Sequence, residues 1–182
     1  ILQMKSLNLG DPETFPFLDP PTQAAIQDGY DTLFEIGAFT TASRTGTLTD
    51  IGARIVKMPL DPRVARMLIA GAEEHCLDEI VPLAAALSIQ DPRERPSGRQ
   101  EEAELAQSVF RDNTSDFLTL LNIWTQYREV AECGRTGEVA SWCREQFLSF
   151  TRMREWSGTT RQLHEVADEL GFKASASQPA SA

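Results

Sequence analysis

The chain has 182 residues, 41% of them hydrophobic and 24% charged, with a formal net charge of −10. That length holds one ordinary domain or two small ones around a buried core, and no apolar run approaches the length of a membrane-spanning helix. The acidity argues against a protein that coats nucleic acid by bulk electrostatics, yet leaves room for a local basic strip.

The opening ILQMKSLNLG lacks both an initiator methionine and the charged-then-apolar order of a secretion signal. It reads as a cut inside a longer protein. Gly10-Asp11-Pro12 signals a turn, and FPFLDPP cannot be helical because Pro16 and Pro20 push their preceding residues extended. Phe15, Phe17 and Leu18 are expected to cover apolar surface as the chain passes. After Pro21, Ile26, Tyr30, Leu33 and Phe34 recur at helical spacing, and Gly37 sits where a C-terminal glycine ends a helix. The run AFTTASRTGTLT reads as two short extended pieces about Ser43-Arg44-Thr45-Gly46, a hairpin. Thr49 caps a further helix whose first turn carries Asp50, with Ile51 and Ile55 one turn apart and Met58 close behind. Gly52 costs helix propensity there, so it is read as permitting close packing. Pro59 stops this helix, and Asp61-Pro62 starts the next, a cap residue followed by proline at the first helical position. Helix, small hairpin, helix is compatible with a winged-helix module, and Pro59-Leu60 is the candidate junction.

From Asp61 onward only helices are expected. Val64, Met67, Leu68 and Gly71 share a face, with Arg63 and Arg66 pointing elsewhere. LDEIVPLAAALS, 77–88, is apolar enough to be the most buried helix, with Pro82 near its start. DPRERPSGRQ is a polar loop. Leu105, Val109 and Phe110 are expected inward on the helix after Glu101. Ser115 caps another that turns Phe117, Leu120, Leu121 and Trp124 to one side. CGRTGE, 133–138, reads as a flexible connection. Trp142, Phe147, Phe150 and Met153 begin the last helical region, which Leu163, Val166, Ala167 and Leu170 finish before Gly171. The tail KASASQPASA is low in complexity and expected to be disordered.

Chemistry is scarce. No phosphate loop, dinucleotide fingerprint, HExxH or GxSxG occurs. Glu73-Glu74 and Glu101-Glu102 are read as solvated helix faces. Cys76, Cys133 and Cys143 lack zinc spacing, and His75 and His164 are too scattered to complete a site. Free thiols in a reducing cytoplasm are the expectation. A Cys143–His164 nucleophile and base is the sharper alternative, but a buried Cys beside Trp142 is the commoner meaning.

The runs LQMKSLNLGDPETFPFLDPP, LTDIGARIVKMPLDPRVARMLI, DEIVPLAAALSIQDPRERP, SDFLTLLNIWTQY and WCREQFLSFTRMREWSGTTRQL, in this order, resemble the region that follows the motor in DEAH-box RNA helicases. SFTRMREWSGTTRQLHEVADELG is most similar to the bacterial HrpA-type members. The likeness runs from Leu2 to Gly171. One departure is Phe117, where many members have histidine in an SDH element; any role of that histidine is not carried over.

The resemblance implies a mainly α chain. A small winged-helix domain, helices plus a short β-hairpin, is followed by an all-α ratchet-like bundle. It assigns residues 1–19 to an extended linker leaving the second RecA-like domain, 20–60 to the winged helix, 61–172 to the bundle and 173–182 to a disordered tail. The fragment would be a non-catalytic part of an ATP-dependent RNA helicase, needing no cofactor itself; ATP and Mg2+ belong to the motor domains of the parent. The implied partners are single-stranded RNA, with DNA as a second candidate strand, the RecA-like motor domains of the same chain, and a protein activator. The implied location is cytoplasmic, with no membrane.

In such a helicase the bundle is a wall that holds the strand during ATP-driven 3′–5′ translocation, and a wall needs a few guanidinium and amide donors for phosphates. Arg154 and Arg161 are seven apart and share a face of a continuous helix; Arg152 and Gln162 flank them, with Arg144 as a more distant neighbour. These four, Arg152, Arg154, Arg161 and Gln162, are the candidate RNA-binding residues. The plainer reading pairs the arginines with Glu145, Glu155 and Glu165 on a solvated helix. Trp124, Trp142 and Trp156 are expected in the core rather than as a stacking platform. Two other classes remain open. One is a docking module for a helicase activator through Phe15, Phe17 and the hairpin near Arg44. The other is a winged-helix DNA reader, for which the helix after Thr49 offers only Arg54 and Lys57.

Overall fold

A computed structural model describes residues 1–58 and 60–172. The helix stop expected at Pro59 and the disordered tail expected at 173–182 lie outside the described residues. The chain is mainly helical and divides into two compact units, Ile1–Ala70 and Gly71–Ala182. That division falls inside one helix, beyond the junction expected at Leu60.

The first unit begins with a short helix, α1 (Leu2–Ser6), which buries Leu2 and Met4. The linker expected over residues 1–19 is therefore not extended throughout, because nothing before Gly10 forbids a helical turn and Lys5 N–H closes it onto the Ile1 carbonyl at 2.9 Å. Leu18 does not cover apolar surface but stands fully in solvent, while Phe15 and Phe17 tilt against each other at 4.7 Å. α2 (Gln23–Glu35) is capped by the Thr22 hydroxyl, which accepts from Ala25 N–H at 3.2 Å, and turns Ile26, Tyr30 and Leu33 inward. Gly37, at φ +73°, ends it. The Gly37 N–H bonds to the Phe34 carbonyl and the Ala38 N–H to Leu33, the two bonds of a Schellman motif.

In place of a hairpin with strands, the next segment keeps one antiparallel bridge, Phe39 to Leu48. Thr40 N–H donates to the Thr47 carbonyl at 3.1 Å, but the return bond goes from Thr47 N–H to the Thr40 hydroxyl, so a side chain interrupts the ladder. α3 (Asp50–Ile55) follows, and the Thr49 hydroxyl serves both its ends of the joint. It accepts from Gly52 N–H at 3.0 Å and donates to the Gly37 carbonyl at 2.6 Å. A Cβ on Gly52 would collide with the Ala38 carbonyl oxygen and lie 2.7 Å from Leu48 Cδ2. Only glycine lets α3 come this close. Ile55 is buried in the same unit.

α4 (Pro62–Glu73) starts as its sequence suggests, with Asp61 Oδ1 accepting from Arg63 N–H at 2.9 Å. It buries Val64, Ala65, Leu68 and Ile69.

In the second unit α5 (Leu77–Leu87) is the centre. Leu77 and every residue from Val81 to Ala86 are buried, and it packs mainly against α7 and α9. Pro82 lies well inside this helix rather than at its start, and its carbonyl accepts from the Trp156 indole N–H at 2.8 Å. Gly71 approaches α5 closely; a Cβ there would lie 2.9 Å from Ile80 Cβ. α6 (Gln100–Gln107) passes into a 3-10 turn, Ser108–Phe110, and α7 (Asp116–Cys133), α8 (Thr136–Glu145) and α9 (Phe150–Glu169) complete the unit.

Two inward faces differ from those expected. Leu105 and Val109 are exposed and Ala103 is buried, while Phe110 lies inward as expected. The 3-10 turn tightens the helix end and brings Phe110 rather than Val109 round to the core. Phe117 is likewise exposed at the start of α7. There Thr119 faces inward, its hydroxyl accepting from Asp112 N–H at 2.9 Å, and this sets the phase for Leu120, Ile123, Trp124 and Tyr127. The connection expected over 133–138 shrinks to Gly134 and Arg135, because α7 runs on to Cys133 and Glu138 accepts from Arg135 N–H to start α8.

The proline- and arginine-rich loop is pinned. Glu94 N–H donates to the Phe147 carbonyl and Ser149 N–H to Pro92, each at 2.8 Å. Gln107 Nε2 donates to both the Glu94 and Phe147 carbonyls. These bonds hold the α8–α9 turn, where Phe147 takes φ +52°.

Candidate nucleic-acid interface

α9 carries all four candidate residues. Its buried stripe, Met153, Trp156, Thr160, Leu163 and Ala167, recurs at three- and four-residue steps, so the helix is straight in register and its remaining faces are outward. Its end is closed by Gly171 at φ +72°, with Phe172 N–H on the Ala167 carbonyl and Gly171 N–H on Asp168. The helix is unbroken from Phe150 to Glu169, so Arg154 and Arg161 do fall on one face.

Arg154 is exposed, its guanidinium 5.9 Å from the Phe150 ring centroid. Arg161 is exposed at the edge of a groove of about 700 Å³. Among the described residues neither forms a salt bridge, and the pairing with Glu145, Glu155 or Glu165 is not made; Glu145 accepts from the Ser141 hydroxyl instead. Gln162 is exposed beside Arg161. Arg152 is placed differently. It lies about 200° round the helix from Arg154, is half-buried, and donates to the Asp91 carbonyl at 3.0 Å. Arg144 borders a separate recess of about 330 Å³ with Arg99, whose guanidinium sits 4.7 Å from the Phe147 ring centroid.

The groove beside Arg161 runs between α7 and α9. Trp124 and Tyr127 line it from α7, Thr160 and His164 from α9, and Asp78 from the first turn of α5. Arg128 also borders it, held to Glu132 at 3.0 Å. Burial pushes the Tyr127 phenol above its ordinary pKa, Cys143 adds to this, and the Arg154 charge works the other way. The sequence singled out neither Tyr127 nor Thr160, and His164 only as a partner for Cys143. The signal was present as two helical series, the mixed 124, 127, 128, 131 and the polar 157, 160, 161, 164, each next to the core.

Trp124 and Trp156 are core residues as expected. Trp156 is fully buried and stacks on Trp124 at 5.2 Å, and Trp142 is half-buried against Phe110. Burial raises the Cys143 thiol to about 11, which leaves it protonated at neutral pH, and Cys143 does not line the groove that holds His164. No cluster able to hold a metal ion occurs among the described residues, and no helix among them is long and apolar enough to cross a membrane.

A family model described as "Helicase associated domain (HA2), ratchet-like" matches residues 61–120. The chain is 39% identical over 182 residues to the ATP-dependent RNA helicase HrpA of Escherichia coli (strain K12), an alignment covering 99% of the chain and 14% of that protein. It is 38% identical over 176 residues to the HrpA homolog of Haemophilus influenzae, covering 94% of the chain and 14% of the relative. To the probable ATP-dependent RNA helicase DHX34 of Mus musculus it is 31% identical over 172 residues, 94% of the chain and 15% of the relative. The chain thus spans only 14–15% of the length of these relatives.

Proposed function

From the premise that the chain belongs to the DEAH-box RNA helicases, being homologous to part of HrpA and DHX34 over nearly its whole length, we propose that it is a non-catalytic accessory region of an ATP-dependent RNA helicase. It holds single-stranded RNA against the motor during ATP-driven 3′–5′ translocation and unwinding. Residues 20–60 form the winged helix and 61–172 the ratchet-like bundle, a division supported by a family match that begins at residue 61. ATP and Mg2+ bind the RecA-like motor domains of the parent, in the cytoplasm.

The observation that carries this reading is the outer face of α9. Two arginines stand in solvent one above the other on an unbroken helix, and neither is neutralised by a carboxylate. A phosphodiester strand passing along that face meets charge without the protein needing to be basic overall. Arg154 and Arg161 are the phosphate contacts, Gln162 is an amide donor beside them, and Arg152 braces the helix from its other side through Asp91.

The test removes both guanidinium groups. Arg154→Ala with Arg161→Ala should weaken RNA binding while leaving the fold intact. In the parent helicase it should lower RNA-stimulated ATPase and unwinding with the basal rate held. Unaltered RNA affinity at low salt would retire these two residues as the contact.

A further inference from the structure

The outermost position of α9 is a glycine. Gly158 stands about 140° to 180° round the helix from every residue of the buried stripe. Its neighbours on the helix surface, three and four residues away, are Arg154, Glu155, Arg161 and Gln162. A Cβ on Gly158 would meet nothing within 4 Å, so neither arginine side chain covers it and the helix backbone lies open between them. Gly52 and Gly71 give the contrast, since a Cβ on either would press into another part of the chain.

Glycine inside a helix is less stable than alanine, because the unfolded chain has more freedom to lose. At Gly52 and Gly71 close packing accounts for its presence. At Gly158 nothing in the chain does, and the space it leaves admits a group from outside. Gly137 is the one other open helical glycine among the described residues; it lies in the first turn of α8, and Ala140 and Ser141 beside it carry no charge. The charges about Gly158 select the kind of group. Arg154 and Arg161 lie on one side of it, about 10 Å apart along the axis, each exposed and without a salt bridge among the described residues. Glu155 borders the other side, and Glu165 and Glu169 continue the same face past Arg161. A polyanion is therefore drawn to the arginine side and turned away from the C-terminal end, so it crosses the helix instead of following it.

We propose that the RNA strand crosses α9 at Gly158, its sugar-phosphate backbone seated on the bare helix with one phosphate at Arg154 and another at Arg161. The proposal rests on the RNA reading above and adds to it the place of crossing and the residue that makes room for it.

The experiment compares the chain with Gly158→Ala and Gly158→Leu, each titrated with a short oligouridine at low salt and melted without it. Alanine and leucine are better helix formers, and a Cβ meets no obstacle here, so both variants should melt no lower than the parent chain. Gly158→Leu should bind oligouridine about tenfold more weakly, the penalty of overfilling a close contact, and Gly158→Ala should lose less. Equal affinity of the leucine variant and the parent chain would overturn the seat; if Arg154→Ala plus Arg161→Ala still weakened binding, the phosphate contacts would stand without it. An equal loss in the two glycine variants would overturn it too, because the glycine would then matter for the freedom of the helix and not for the space above it. If oligouridine failed to bind the parent chain at low salt, the RNA reading itself would fall, and the seat with it.

Discussion

The two compact units are stabilised by different means. In the first, helices of 5, 13 and 6 residues are joined by turns, and the joints do much of the holding. Thr49 ties the start of α3 to the Gly37 carbonyl, Gly37 closes α2, and Gly52 lets α3 touch the Ala38 backbone. In the second, one helix, α5, buried at Leu77 and from Val81 to Ala86, is flanked by the longer α7 and α9, and apolar packing dominates. A unit held by close backbone approach has no slack for an added atom. A unit held by packed side chains responds in proportion to the volume removed.

That contrast breaks most sharply at Gly52. A valine there places its Cβ against the Ala38 carbonyl, a backbone atom that cannot rotate away. Gly52→Val should cost on the order of 5 kcal/mol, as much as a small unit's whole stability, and amide exchange across α2 and α3 should approach the unfolded rate. Retained protection there would show that the joint is not what holds the unit.

Trp156→Ala is the matching change in the second unit. It empties a fully buried site and removes the bond to the Pro82 carbonyl, so a loss of about 3–5 kcal/mol is expected in denaturant melts. A loss below about 1 kcal/mol would mean that α5 and α9 repack without it.

A smaller effect should follow Asp91→Asn. Burial opposes the Asp91 carboxylate, but hydrogen bonds from the Arg93 side chain and backbone outweigh it and hold its pKa below the ordinary value. A depressed carboxylate contributes stability above its unfolded pKa of about 4, and that contribution is lost as pH falls through the folded value. The wild-type chain should therefore lose stability below about pH 4 that the asparagine variant lacks from the start, with a difference of under about 1 kcal/mol at neutral pH because the pair is partly exposed. Parallel pH profiles for the two chains would remove Asp91 from the account.

Local chemistry was legible from the sequence. The Thr49 cap, the Asp61-Pro62 start, the glycine stops at Gly37 and Gly171 and the close packing at Gly52 depend on a few neighbouring residues. Features set by distant partners were not. The inward face after Glu101 depends on a change of helix type at Ser108, and the face of α7 depends on Thr119 meeting the Asp112 backbone. The loop at 91–100 reads only as polar, yet residues more than fifty positions later bind it. On α9, the spacing of Arg154 and Arg161 was readable. The tether on Arg152 and the groove beside Arg161 come from other elements, so their positions in the sequence did not announce them.

The central claim is that the outer face of α9 meets RNA phosphates. It is tested most directly by the salt dependence of RNA binding, measured on the chain with and without Arg154→Ala plus Arg161→Ala. Each phosphate contact on a single strand contributes about 0.7 to the slope of log affinity against log salt, so the double variant should show a slope shallower by about 1.4 and an affinity loss that shrinks as salt rises. Identical slopes for the two proteins would contradict the claim and leave this face of α9 without its assigned role.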